Sequence, residues 1–81
     1  MTVEVDCGII RGTKERRFRV YAGVCDEFPT QLDVVTVTYG GAVVFTGKPG
    51  DAKTPFEQQA VAHAQACVSE FQWNDEVVED F

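Results

Sequence analysis

Cys7, Cys25, Cys67 and His63 are the side chains of this sequence best equipped for chemistry. His63 and Cys67 stand at i and i+4, a spacing that places two side chains on one face of a helix. A tetrahedral zinc site needs four donors, and its usual sign is a closely spaced pair such as C-x2-C. The sequence has no such pair. Cys7 and Cys67 also fall at apolar positions of their segments, where a free cysteine behaves as a small hydrophobe. Nucleophilic catalysis requires a partly exposed thiolate beside an imidazole, with a third group orienting the base. Here Cys67 belongs to an inward stripe, His63 to its flank, and no orienting group accompanies them. The expectation is therefore no catalytic residue, no metal and no cofactor.

The stretch Gly47-Lys48-Pro49-Gly50-Asp51-Ala52-Lys53-Thr54 approaches the phosphate-binding pattern G-x-x-x-x-G-K-[ST], with Ala52 in place of the second glycine. That glycine lets backbone N–H groups curl around a phosphate. Pro55 starts the helix too late for the lysine and the hydroxyl to sit in its opening. The flanking segments also read as an antiparallel hairpin, whereas this loop belongs to parallel sheets. A Gly/Pro loop ahead of a capped helix accounts for every residue. The adjacent acids Asp26-Glu27, Asp75-Glu76 and Glu79-Asp80 diverge as sequence neighbours do, so they read as solvated charge rather than acid–base pairs.

The elements that must position these residues are few. Thr54 to Phe71 alone has helical periodicity. Thr54 as N-cap, Pro55 at the first helical position and Glu57 three residues on form a capping box. Ala60, Val61, Ala64, Cys67, Val68 and Phe71 share one face. Thr2 to Ile10 alternates, with Val3, Val5, Cys7 and Ile9 on one side, and Glu15 to Val24 alternates likewise. A two-residue turn at Gly12-Thr13 pairs Cys7 with Phe18, Val5 with Val20 and Val3 with Ala22, and sets Asp6 opposite Arg19. Leu32 to Tyr39 and Ala42 to Thr46 form a second hairpin about Gly40-Gly41, which needs positive φ. One face of it gathers Val35, Val37, Tyr39, Ala42, Val44 and Thr46, and the other Val34, Thr36, Thr38, Val43 and Phe45. The expected architecture is a single α+β domain over residues 1–81. It holds an antiparallel four-stranded sheet of two hairpins in ββββα order, with the helix packed on one face. Residues 74–81 read as an acidic tail or a short extra strand.

Hydrophobic content of 44% and charged content of 25% fit a folded globular chain rather than a disordered one. No apolar run approaches the roughly 20 residues of a membrane span. No export signal is visible at the start, and the odd cysteine number fits reduced thiols, so the cytoplasm is the expected compartment. The net charge is −6. It is uneven: Arg11, Lys14, Arg16, Arg17 and Arg19 lie in the first hairpin, and no Lys or Arg follows Lys53. Such an acidic balance repels phosphate backbones and suits a basic protein partner. The basic cluster reads as a salt-bridged outer hairpin face.

Two surfaces invite contact. The second hairpin carries charge only at Asp33, so Val43 and Phe45, or Val37 and Tyr39, stay poorly hidden once the helix covers one side. The helix back carries Gln58, Gln59, Ala62, Ala66, Ser69 and Trp73, uncharged and small where a solvated face usually bears Lys and Glu. The reading is a non-enzymatic binding protein for a larger, basic partner. Trp73, Phe45 and Tyr39 would anchor it, Ala62 and Ala66 would allow close approach, and Asp26, Glu27, Glu79 and Asp80 would steer association. In size, acidity, sheet-plus-helix build and lack of a catalytic motif, the chain resembles the small inhibitors encoded by phages and mobile elements, such as anti-CRISPR proteins. That likeness implies blockade of a host complex and assigns no residue a role. The alternative is a structural or assembly protein that homodimerises through the helix or the second hairpin.

Overall fold

The computed structural model describes the backbone of residues 2–25 and 28–79 and the side chains of residues 2–25 and 31–70. Four strands, β1 (Thr2–Arg11), β2 (Arg17–Cys25), β3 (Phe28–Tyr39) and β4 (Ala42–Gly47), precede one helix, α1 (Pro55–Glu79). The strands form one antiparallel meander in the order β1-β2-β3-β4. This is the expected ββββα architecture, and the strand order follows the chain.

The helix begins as its capping box requires. Glu57 N–H donates to Thr54 Oγ1 at 3.1 Å, and Thr54 N–H returns the bond to Glu57 Oε1 at 3.3 Å. Lys53 N–H also donates to Glu57 Oε1, at 3.0 Å. One carboxylate thus holds the chain's entry into α1. The helix runs to Glu79, past the expected end at Phe71. Residues 74–79 are therefore helical rather than tail or strand; Asp80 and Phe81 lie outside the described residues. No glycine or proline interrupts the sequence after Pro55, and the acids at 75 and 76 oppose the macrodipole too weakly to end a helix.

The core is small-residue packing between the inner face of the sheet and one stripe of the helix. Val20, Ala22, Val35, Val37, Ala60 and Ala64 are fully buried, and Val68 is nearly so. Val61 and Cys67 pack half-buried against them. Alanines at 60 and 64 bring the helix close to the sheet, and a core built of Val and Ala leaves about 3–5 kcal/mol of net stability in a chain this short.

The first hairpin departs from its expected register. Arg11 pairs with Arg17 rather than Lys14, because residues 12–16 form the connection, with a short 3-10 turn at Thr13–Glu15. Lys14 and Glu15 both take φ of 59°. Gly12 is extended, not left-handed as a two-residue turn needs; a Cβ there would collide with the Phe18 ring. Ile10 faces Phe18 in the same register, and a bulge at Cys7-Gly8 then shifts the pairing so that Val5 faces Ala22 and Asp6 faces Tyr21. Gly8 takes φ of 84° and donates its N–H to Asp6 Oδ1 at 2.9 Å. The gain is burial. Ile9 and Ile10 are consecutive, so strict alternation can hide only one of them. The bulge turns Ile10 inward, 7% exposed, and leaves Ile9 outside at 48%. Arg19 still pairs with Asp6, diagonally, at 2.7 Å.

The second hairpin turns at Gly40 and Gly41 with φ of 58° and 88°, and Tyr39 pairs with Ala42 as expected. A second bulge, at Val44, changes the register beyond Val37. Phe45 consequently pairs with Val37 on the inner face, and Thr46 turns outward, its hydroxyl 3.1 Å from that of Thr36. Both reverse the expected sides.

Candidate interaction surface

A four-stranded open sheet has two edges, and here they are β1 and β4. The helix packs over β3, β2 and β1 and leaves β4 at its margin. Ala42, Val43, Val44 and Thr46 are all exposed, Val43 at 59% and Val44 at 49%. Phe45 is half-buried, its ring supporting the core from the side. Tyr39, at the base of the turn, remains 42% exposed although it packs against Phe18, with ring centroids 5.0 Å apart. Phe18 in turn meets Phe56 at 4.7 Å, and the Arg16 guanidinium lies 5.8 Å from the Tyr39 ring centre. The turn end of the hairpin is thus held by an aromatic cluster while its β4 side faces water. No charge occurs between Asp33 and Lys48. No charge in that stretch discourages another chain from approaching the strand edge, which only the bulge at Val44 interrupts.

Of the expected contact residues, Tyr39 and Phe45 come together on this hairpin, with Val43 and Val44 between them in sequence. Ala62 and Ala66 are exposed on the helix back, flanked by exposed Gln58, Gln59, Gln65 and Ser69. That surface faces away from the sheet, so helix back and hairpin are separate patches. Trp73 and Glu79 lie in the helical backbone with side chains outside the described residues, and Asp26, Glu27 and Asp80 lie outside them altogether.

The outer face of the sheet carries the basic residues. Arg17, Arg19 and Tyr21 line a shallow recess of about 260 Å³ with Ile9, Thr38 and the Gly40-Gly41 turn. Asp6 occupies the Arg19 guanidinium, so much of the positive charge there is answered locally.

The chemically equipped residues take structural posts. His63 Nε2 lies 2.6 Å from the Cys7 carbonyl oxygen, an acceptor beside the bulge, and donates to it. His63, expected on the flank of the helix stripe, is thus a tether between α1 and β1. Periodicity could not reveal it, because the bulge that presents the carbonyl is invisible to an alternation count. The Cys7 thiol donates to the Val5 carbonyl at 3.6 Å. Burial, and after it the hydrogen bond and charge of Cys67, push the Cys7 pKa from 9.0 up to about 12. Near neutral pH it carries almost no thiolate, so it reacts slowly as a nucleophile. Among the described residues, no three His, Cys, Asp or Glu side chains are grouped to hold a metal ion. In the loop that resembles a phosphate cradle, Lys48 N–H donates to Asp51 Oδ2 at 3.0 Å, Asp51 N–H to the Lys48 carbonyl at 2.9 Å, and Ala52 N–H to the Pro49 carbonyl at 3.5 Å. The amides a phosphate would need are turned inward.

No helix among the described residues is long and apolar enough to cross a membrane. Comparison with protein-family models, with curated proteins and with solved structures finds no match.

Proposed function

We propose that this chain is a non-enzymatic protein-binding module that covers a surface of a larger, basic partner in the cytoplasm, with the β3–β4 hairpin as its contact. The observation that carries this reading is the exposure of Val43 (59%) and Val44 (49%) on one uncharged edge strand, with Tyr39 (42%) exposed beside its turn. Removing such side chains from water contributes about 25 cal/mol per Å² on docking. Tyr39 is preordered by its packing on Phe18, so fixing it in an interface costs little entropy. The net charge of −6 supplies attraction towards a basic partner. That attraction acts on the rate of encounter more than on affinity. In this reading Asp26, Glu27, Glu79 and Asp80 steer association, and Trp73 with Ala62 and Ala66 offers a second contact on the helix back. Blocking a nucleic-acid-handling host complex, in the manner of a phage-encoded inhibitor, is the role such a module fits.

The free edge of β4 favours one other reading, a homodimer in which two copies pair β4 with β4. Light scattering coupled to size exclusion, run over rising concentration, separates the two. A monomer throughout supports the heteropartner reading. A dimer that Val44→Lys dissociates supports edge pairing. A dimer that only Ala62→Arg dissociates overturns the assignment of the contact to the hairpin.

A further inference from the structure

The tether from His63 to the Cys7 carbonyl, at 2.6 Å, fixes one turn of α1 directly over the β1 bulge. Cys67 lies one helical turn beyond His63 on the same side and packs against the core cluster that contains Cys7. Cys7 faces inward from β1 into that cluster, so the two side chains meet at the same strand–helix contact. Cys7 is 9% exposed, whereas Cys67 is half-buried at the margin of the helix. Cys25 is elsewhere, paired with Thr2 and Phe28 at the far end of the sheet from the first turn. One pair of thiols is therefore juxtaposed across the strand–helix interface, with one member accessible and one enclosed.

We propose that Cys7 and Cys67 form a reversible disulfide in the folded protein, locking α1 to β1 when a low-molecular-weight disulfide such as oxidised glutathione is present. The Cys67 thiolate attacks one glutathione sulfur, forming a mixed disulfide and releasing one glutathione thiolate. Cys7 then gives up its proton to solvent, and its sulfur attacks Cys67 Sγ. The second glutathione leaves as thiolate. Two protein thiols are oxidised to one disulfide, and one glutathione disulfide is reduced to two glutathione thiols. Because burial holds the Cys7 proton to about pH 12, the closing step is the slow one and accelerates as pH rises.

The bond closes most of the chain into one loop, the case in which a cross-link restrains the unfolded state most. Oxidation should therefore raise the unfolding midpoint by roughly 10 °C or more, reversibly with dithiothreitol. The test is to incubate the whole folded chain with oxidised glutathione, count thiols after denaturation, and map the linked peptides. The expected result is a fall from three free thiols to one, with Cys7 joined to Cys67 and Cys25 free. Cys25→Ser should still lose both remaining thiols, while Cys67→Ser should lose neither of its pair to an internal bond. A stable glutathione adduct at Cys67 that never closes would overturn the proposal. So would a cross-link that uses Cys25, or a Cys7–Cys67 bond that lowers the midpoint.

Discussion

The two hairpins of this sheet have similar apolar content and opposite fates. In β1–β2 the irregularities serve the core. The Gly8 bulge turns Ile10 inward, presents the Cys7 carbonyl to His63, and leaves Asp6, Arg17 and Arg19 on the solvent side. In β3–β4 the bulge brings Phe45 inward but leaves Val43 and Val44 in water on an edge with no charge to guard it. A β-bulge can thus complete a core or expose an edge, depending on what stands opposite. For the first hairpin that is the helix. For β4, among the described residues, it is only the margin of the helix.

Paired substitutions sharpen the contrast. Val35 is fully buried and Val43 is 59% exposed. Val35→Ala should cost about 2–3 kcal/mol by urea unfolding, a large part of the total, while Val43→Ala should change stability by less than about 0.5 kcal/mol. Equal costs would mean that β4 is covered after all.

A smaller effect is expected at the bulge. His63→Ala removes the donor to the Cys7 carbonyl and should cost about 1–2 kcal/mol. Hydrogen exchange at residues 7–10 should quicken, with no change at residues 42–46. If both hairpins respond alike, the tether is not local to β1.

The gentlest probe is pH. An unfolded Cys7 loses its proton near 9.0, and the folded one holds it to about 12. Between those values the unfolded state binds fewer protons, so stability falls as pH rises from about 9 towards about 12. A Cys7→Ser chain should lose less stability over that window in the same urea titrations. Superimposable curves for the two chains would remove Cys7 from the account.

Local signals in the sequence were enough for the fold class. The capping box of Thr54 and Glu57, the Gly40-Gly41 turn and the Ala60–Val68 stripe each depend on neighbours within a few residues, and each stands where expected. The bulges depend on something else. Alternation counts residues in twos, so one inserted residue at Gly8 or Val44 reverses every side chain beyond it. That is why Phe45 and Thr46 exchanged faces and why Ile9 lies outside. The adjacency of Ile9 and Ile10, with a glycine just before them, is the trace the first bulge leaves in the sequence. Of the candidate surface, Tyr39 and the poor cover of Val43 were legible because Asp33 is the hairpin's only charge. The role of His63 was not, since it rests on a carbonyl that only the folded bulge presents. The helix past Phe71 leaves no such mark, because the apolar stripe that signals the helix has Phe71 as its last member.

The central claim is that the β4 side of the sheet, rather than the helix back, is where this protein meets its partner. A photo-crosslinking residue placed at position 43, and in a second chain at position 62, tests it directly in the cells that make the protein. The account predicts abundant adducts from position 43, to a larger basic protein or to a second copy, and few from position 62. Adducts from position 62 alone would contradict it.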